Sequence, residues 1–489
     1  MPGKKTKKSG IETIAYSTDA SMIEGNATLV IFPKSAEEIS ILIRGGGNFT
    51  IRGGGTGLAG GAVPQNEIVL DLSKMNKVID FDREKRTIKV EAGIILDELQ
   101  EELDKHGLEF PVNPSSHSVC TIGGMIATNA VGSRALKYGR TGNWIEELEV
   151  VSGKGEIIKI TKANLQDFSG LEGITGVIVK AKLKVIEKKE RTASLFAISE
   201  LKDVYDSARK LKMLSDVSAI EFLDKLTSSL LGLEEKYHII AEFESDRGKA
   251  KGEKYNDLMN LRDRAYPALA SAGYIIIEDP KILLHKFQEL GEFLEIEKIP
   301  FFGHLSVGII HPVFRKEDEV KIKSLMNYVK KMHGQVSGEH GIGLRKKEFL
   351  ENTEKKLILS IKKRYDPFCK MNCKKVIDMQ DKSLSEEVIE RRKEAIKQAE
   401  EIIKEQNKEI EEENKEAEEI KENIEESQDA EEIIKNSGEN STEAEEIIKE
   451  QESSAEEIIK DSEENSIINN KEQENSIDNK ENSGVENGN

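Results

Sequence analysis

Six glycines stand among the nine residues after Arg52, in the run Arg52-Gly53-Gly54-Gly55-Thr56-Gly57-Leu58-Ala59-Gly60-Gly61, directly behind an apolar stretch at 49–51. Such a run cannot be a helix interior, because glycine loses the most backbone entropy on being ordered there. What it does allow is for successive N–H groups to turn into one concavity. A nest of that kind suits a pyrophosphate, with Arg52 and Thr56 placed to add a charge and a hydroxyl. No Gly-Lys-Ser or Gly-Lys-Thr follows, which excludes a Walker loop. The next segment opens no clean helix, which excludes a dinucleotide-binding Rossmann unit. A second loop of the same character lies about 70 residues on. Asn113-Pro114-Ser115-Ser116 leads into Thr121-Ile122-Gly123-Gly124, then Thr128-Asn129-Ala130-Val131-Gly132-Ser133 and Tyr138-Gly139. Small, polar and glycine residues alternate there, as they must where a flat ligand lies against backbone. Two such loops fit one long ligand with a diphosphate and a ring system; two unrelated turns are the alternative.

Around the loops, short strand-like and helix-like segments alternate over residues 28–190. Residues 28–32, 68–72, 78–81, 87–91 and 177–186 read as strands, and 147–151 with 156–160 as a hairpin about Gly153–Gly155. Ser35 with Glu38 three residues on is a capping-box pattern that opens a helix through Ile43. Helical spacing over 96–106 ends at Gly107. The fold class is α+β. Residues 191–330 form a second region, with a helix over 201–214 and a strand over 238–243, read as a sheet with helices on one face. Residues 1–27 are an N-terminal segment, 331–382 close the body, and 383–489 form an acidic low-complexity tail.

The charge sits unevenly. Of the chain's 91 acidic and 72 basic residues, 381–489 hold 37 and 14, a net of −23 with no Phe, Trp or Tyr. The first 380 residues therefore carry 54 acids and 58 bases, a net of +4. Within the tail an imperfect Ala-Glu-Glu-Ile-Ile-Lys repeat begins at Ala399, Ala430, Ala444 and Ala455. High charge and few apolar residues read as a disordered or weakly helical tail; the Ile pairs also fit a weak coiled coil that binds a partner. No apolar run approaches the roughly 18 residues of a spanning helix. The basic start at 1–8 has no apolar core behind it, so no secretory signal is expected. Cys120, Cys369 and Cys373 are too few for a disulfide framework or a four-thiolate cluster. Cys369 and Cys373 read as two ordinary thiols in a reduced, cytoplasmic setting. No basic cluster alternates with aromatics, and the tail would repel phosphate, so nucleic acid is excluded as a partner.

The motifs fall in an order that resembles a known family. Residues 16–21, 33–40, 52–61, 71–76, 90–93 and 121–132, Tyr138-Gly139 and Gly170-Leu171-Glu172-Gly173-Ile174-Thr175-Gly176 are similar to the FAD-linked oxidases with a vanillyl-alcohol-oxidase-type flavin domain. Within these the chain looks like the branch that holds D-lactate dehydrogenase, glycolate oxidase and D-2-hydroxyglutarate dehydrogenase, over residues 14–380. The resemblance implies a two-subdomain FAD-binding domain at 28–190, an α+β cap at 191–330 and a closing segment at 331–382. It implies FAD contacts at Arg52, Gly53, Gly54, Gly55, Thr56, Gly57, Pro114, Thr121, Gly123, Gly124, Thr128, Asn129, Gly132, Gly176, Val177 and Asn372. The first loop has no histidine, so no covalent flavin link is suggested there, and His117 is not expected to form one.

Four of the eight histidines gather late, at His304, His311, His333 and His340. His304 and His311 stand seven apart, and Glu339 precedes His340 in Ser337-Gly338-Glu339-His340-Gly341-Ile342-Gly343. Two imidazoles and a carboxylate make a divalent-metal triad with positions left for substrate; scattered surface or core histidines are the reading that spacing leaves open. The resemblance implies His304, His311 and Glu339 as ligands to Zn, Mn or Fe, and His340 as the base. It implies Arg262 as the grip on a substrate carboxylate, a bidentate task that suits a guanidinium fork. His333 matches no motif. Two departures stand out. Residues 306–309 read Ser-Val-Gly-Ile where the family has Gly-Asp-Gly-Asn, which removes the polar groups that would orient the histidines. Asn372-Cys373-Lys374-Lys375 replaces the family's Asn-Pro-Gly-Lys.

The function so implied is FAD-dependent oxidation of a D-2-hydroxy acid, such as D-lactate or glycolate, to the 2-oxo acid. With no cluster or nicotinamide motif in the chain, electrons would pass to an external quinone, flavoprotein or cytochrome. A cytoplasmic enzyme, or one peripheral to the inner face of the membrane, is expected, as a homodimer or with a tail-bound partner. A non-redox FAD enzyme similar to alkyl-dihydroxyacetonephosphate synthase, or a flavin-binding scaffold with a diverged site, are the alternatives.

Overall fold

The computed structural model describes residues 13–379. The acidic repeat read at 383–489 lies outside the described residues.

Strand β1 (Asn26–Ile31) is followed by helix α1 (Ala36–Gly45), β2 (Phe49–Arg52) and β3 (Gln65–Asp71). The three strands are parallel, in the order β1-β3-β2. Ser35 caps α1 by accepting the N–H of Glu38, while the Glu38 carboxylate reaches back to the N–H of Lys34, one residue earlier than a standard capping box. Ile39, Leu42 and Ile43 form the buried stripe of α1 at helical spacing. The first glycine loop leaves the carboxyl end of β2. Met371, from the closing segment, pairs alongside Phe49 and extends this sheet.

Next come β4 (Val78–Asp82), β5 (Thr87–Glu91), α2 (Leu96–Asp104), β6 (Leu108–Glu109), α3 (Ile122–Thr128), α4 (Ala135–Tyr138), β7 (Ile145–Ser152), β8 (Ile157–Thr161), β9 (Gly176–Lys184) and β10 (Ile186–Glu187). Five of these strands form an antiparallel sheet in the order β4-β5-β9-β7-β8, and β6 pairs with β10. Val177, Val179, Ala181 and Leu183 are buried on one face of β9, the alternation that the sequence shows.

The remaining elements are β11 (Thr192–Ile198), α5 (Leu201–Lys212), β12 (Val217–Leu223), α6 (Lys225–Leu230), β13 (Tyr237–Phe243), α7 (Glu253–Asp263), α8 (Ala265–Ser271), β14 (Ile276–Ile277), α9 (Phe287–Ile296), β15 (Phe301–His304), β16 (Ile309–Phe314), α10 (Glu319–Lys331) and α11 (Asn352–Tyr365). Their strands make one six-stranded sheet, β11-β13-β12-β15-β16-β14. The expectation of helices on one face is corrected here. Every residue of β12 and β13 is buried, which requires cover on both sides. On one side Phe222 and Phe301 meet Phe287 and Leu290 of α9 and Leu325 of α10; on the other, Leu223 and Ile240 meet Leu258, Leu261 and Ala265 of α7 and α8. The Phe222 ring lies 5.1 Å from that of Phe287 and 5.3 Å from that of Phe301. Burying each such ring contributes about 1.5–3 kcal/mol.

A second correction concerns sulfur. Cys369 and Cys373 are joined in a disulfide, their Cα atoms 5.2 Å apart, and Cys120 is free and buried. The short loop curls back through left-handed backbone at Cys369 and Asn372, which brings the two sulfurs together. The cysteine count therefore does not point to a reducing compartment.

Candidate active site

The two glycine loops face each other across one cavity, whose far wall carries His304, Glu339, His340 and Arg262. Close approach explains the glycines. A Cβ on Gly54 would lie 2.1 Å from the carbonyl oxygen of Val119, and one on Gly53 would lie 2.3 Å from the Thr121 hydroxyl. That same hydroxyl caps α3 by accepting the N–H of Gly124. The N–H groups of Gly55, Thr56 and Gly57 donate to no backbone acceptor among the described residues. An unpaired run of donors beside glycine-lined walls fits the diphosphate and flat ring of FAD.

The histidines are set by strand register. Glu221 on β12 stands opposite His304 on β15, and His304 opposite Ile309 on β16. His311, two residues beyond Ile309, therefore shares the face of His304. The rings of His304 and His311 lie 5.2 Å apart and perpendicular, and the His311 and His340 rings are stacked at 5.1 Å. Glu339 sits among them, 3.5 Å from His304 Nε2, 3.1 Å from His311 Nε2 and 3.1 Å from His340 Nε2. The potential ligand atoms of His304, His311 and Glu339 all lie within 4.8 Å of one another.

The expectation that the 306–309 change strips the histidines of polar support needs correcting for one of them. Both carboxylate oxygens of Glu221 lie 2.8 Å from His304 Nδ1, turning Nε2 toward Glu339. His311 Nδ1, by contrast, is buried with no hydrogen-bond partner among the described residues. Burial would raise the pKa of Glu221, but His304 and Arg262 hold it at about 2. Burial would lower His304, but Glu221 and Glu339 raise it to about 9. A divalent cation among His304, His311 and Glu339 would answer the same two carboxylates, so the donor set fits a metal.

Arg262 ends α7 with its side chain buried. Nε donates to Glu221 at 2.9 Å, Nη1 to Asp263 at 2.5 Å, and Nη2 lies 3.5 Å from His304 Nε2. Nε and Nη1 are thus engaged by protein carboxylates, and Nη2, beside His304, is the nitrogen not paired with one. Of the residues expected at FAD, Gly53, Gly54, Gly55, Thr56, Gly57, Pro114, Thr121, Gly124 and Thr128 line the cavity. Gly123 and Gly176 line a smaller recess beside it. Five others sit elsewhere. Arg52 donates to Thr18 O and lies over the Tyr16 ring; Asn129 accepts from Gly142 N–H; Gly132 abuts the Asn113 backbone; Val177 is core. Asn372 bridges Ile51 N–H and the Glu172 carbonyl. His117 pairs with Asp97 and does not line the cavity.

Sequence reasoning missed three acids. Glu221 was legible as a lone carboxylate in the apolar run 219–223. Asp279 follows another such run. Glu172 lay within the 170–176 motif without a role. It lines the cavity, and its carboxylate accepts the N–H groups of Ile342 and Gly343 at 2.6 and 2.9 Å, fastening the His340 loop to the flavin loops. Burial pushes its pKa from the ordinary 4.5 up to about 7, against the pull of those two N–H groups. The fold then keeps a proton that the unfolded chain releases between pH 4.5 and 7. Stability should fall by about 3 kcal/mol as pH rises through that window, the loss being complete above it. Glu172→Gln should flatten this slope, read as the thermal midpoint of the protein from pH 5 to 8; an unchanged slope would assign it to other groups.

The parallel sheet with its glycine loop, the second loop and the facing wall together define an FAD-linked oxidase, and the chain belongs to that family. Residues 27–161 match the family model described as FAD binding domain, and residues 187–376 match FAD linked oxidases, C-terminal domain. The chain is similar to D-lactate dehydrogenase of Archaeoglobus fulgidus, 30% identical over 71% of this chain and 91% of the relative. It is 27% identical to D-2-hydroxyglutarate dehydrogenase of Xanthomonas citri pv. viticola, over 73% of this chain and 90% of that one. It is also 27% identical to the glycolate oxidase component GlcD of Bacillus subtilis, over 72% and 90%.

Proposed function

We propose that the protein oxidises a D-2-hydroxy acid to the 2-oxo acid, with FAD between the two glycine loops and a divalent ion (Zn, Mn or Fe) on His304, His311 and Glu339. The observation that carries this is the single cavity in which a histidine, an arginine nitrogen and a two-histidine, one-carboxylate cluster face the glycine loops. When bound, the flavin supplies the two-electron acceptor and the ion supplies Lewis acidity toward the hydroxyl. The chain's own residues do the rest. Arg262 Nη2 holds the substrate carboxylate on the His304 side. His340 takes the hydroxyl proton, its Nε2 lying in the cavity wall next to Glu339. Glu221 restrains Arg262 and His304 together, so binding and ligation share one support. We take the flavin domain to be of the vanillyl-alcohol-oxidase type, with residues 28–190 as its two subdomains and 191–330 as cap. The electron acceptor is external, a quinone, flavoprotein or cytochrome; no helix among the described residues is long and apolar enough to cross a membrane.

The test is anaerobic. D-lactate or glycolate should bleach the flavin absorbance of the purified protein while L-lactate should not. A chelator should stop the bleaching and leave FAD bound. Flavin that no D-2-hydroxy acid reduces would sink the reading.

A further inference from the structure

The geometry points to a short monocarboxylic 2-hydroxy acid as substrate, with dicarboxylic hydroxy acids excluded. This rests on the reading just given. Among the described residues lining the cavity, Arg262 is the one arginine or lysine, and the other ionisable groups there besides histidine and the buried Cys120 thiol are the acids Glu172 and Glu339. Two of the three nitrogens of the Arg262 guanidinium are already given to Glu221 and Asp263. The third, Nη2, 3.5 Å from His304 Nε2, is the one not paired with a carboxylate and is placed to take one from a substrate.

Three cations on the flanking elements do not line the cavity and are held by the protein. Arg140 donates to the Gly338 carbonyl, Lys346 is buried on Asp279, and Arg345 donates to the Ser21 carbonyl. A second carboxylate would thus be desolvated beside Glu172 with no side-chain cation to meet it, the ion on Glu339 being taken up by the hydroxyl end of the substrate, and an unpaired buried charge is strongly unfavourable. The wall instead offers apolar surface. Leu58 lines the cavity and packs on buried Leu269, Ile277 and Val313, together with Phe302, whose ring lies 5.1 Å from that of His311. A hydrogen or methyl at the substrate's third position suits that surface; a propionate arm does not.

Two measurements on the FAD-loaded protein decide it. Anaerobic flavin reduction should show kcat/KM for D-lactate or glycolate at least about 30-fold above that for D-2-hydroxyglutarate. Titrations followed by the flavin spectrum should show pyruvate binding at least about 10-fold tighter than 2-oxoglutarate. Smaller ratios in either measurement, or a preference for the dicarboxylate, overturn the inference. The titration needs no turnover. If no hydroxy acid reduces the flavin, the oxidation reading fails, and the titration alone still upholds or overturns the substrate class.

Discussion

Replacing His340 by alanine should slow flavin reduction by a D-2-hydroxy acid by at least about 100-fold and leave FAD in place. His340 is held in the cavity wall from two sides. Its backbone N–H donates to Asp279 Oδ2 at 2.6 Å, and its Nε2 lies 3.1 Å from Glu339. Its Nδ1 makes no hydrogen bond among the described residues but lies 3.7 Å from Asp279 Oδ1, and the ring is stacked on His311. The side chain lines the cavity, but the flavin loops that face it are separate segments held by their own contacts, so the cofactor should stay. His333 is the internal control. It stands exposed after α10, in left-handed backbone, and lines no part of the flavin cavity. His333→Ala should be nearly silent. Stopped-flow measurement of flavin bleaching in both variants checks this, and equal slowing by the two would refute the base assignment.

Asp279→Ala should be the most destabilising single change in the body, by about 3–5 kcal/mol. The Asp279 side chain is fully buried. Oδ2 accepts the N–H groups of Gly338, Glu339 and His340 at 2.9, 2.5 and 2.6 Å, and Oδ1 takes the buried Lys346 ammonium. Burial alone would raise its pKa; Lys346 and His340 pull it below the ordinary carboxylate range. Alanine would leave the N–H groups of Glu339 and His340 unanswered, Gly338 N–H keeping the Asp279 carbonyl, and would leave the buried Lys346 with Glu278, 3.1 Å away, as its remaining carboxylate. Because the three donors belong to the loop that carries Glu339 and His340, activity should fall with stability. The exposed pair Lys85–Asp82 gives the contrast, and Lys85→Ala should leave the thermal midpoint nearly unchanged. A midpoint for Asp279→Ala within a degree or two of the parent would show that the loop holds itself.

Much of this was legible in the chain because the informative residues obey local rules. Glycine at 53 and 54 reports a backbone approach, Ser35 a helix start, and the alternation of β9 a half-buried strand. The histidine set was legible only through its motifs, since seven-residue spacing does not say that two strands place His304 and His311 on one face. Register did that, and register is long-range information. Glu221 illustrates the rest. It acts on His304 across 83 residues of sequence, and no local pattern announces such a partner. Arg52 shows the reverse case: a charge beside a phosphate-type loop reads as a ligand contact, and its guanidinium donates to the Thr18 carbonyl and lies over the Tyr16 ring. The cover on the second face of the six-stranded sheet was missed for a similar reason, because α7 has no fully buried residue and leaves little apolar signature.

The closing segment completes the sheet that carries the first glycine loop. Phe49 N–H donates to Lys370 O, and Ile51 N–H to the Asn372 side chain, 321 residues further along the chain. β2 is the strand from which that loop springs. On the ribosome, it emerges early, and its outer edge has no partner until the six-stranded sheet has been made. The strand that carries the first glycine loop is therefore completed by the last residues of the body to be translated, so that closing the body sets the footing of that loop.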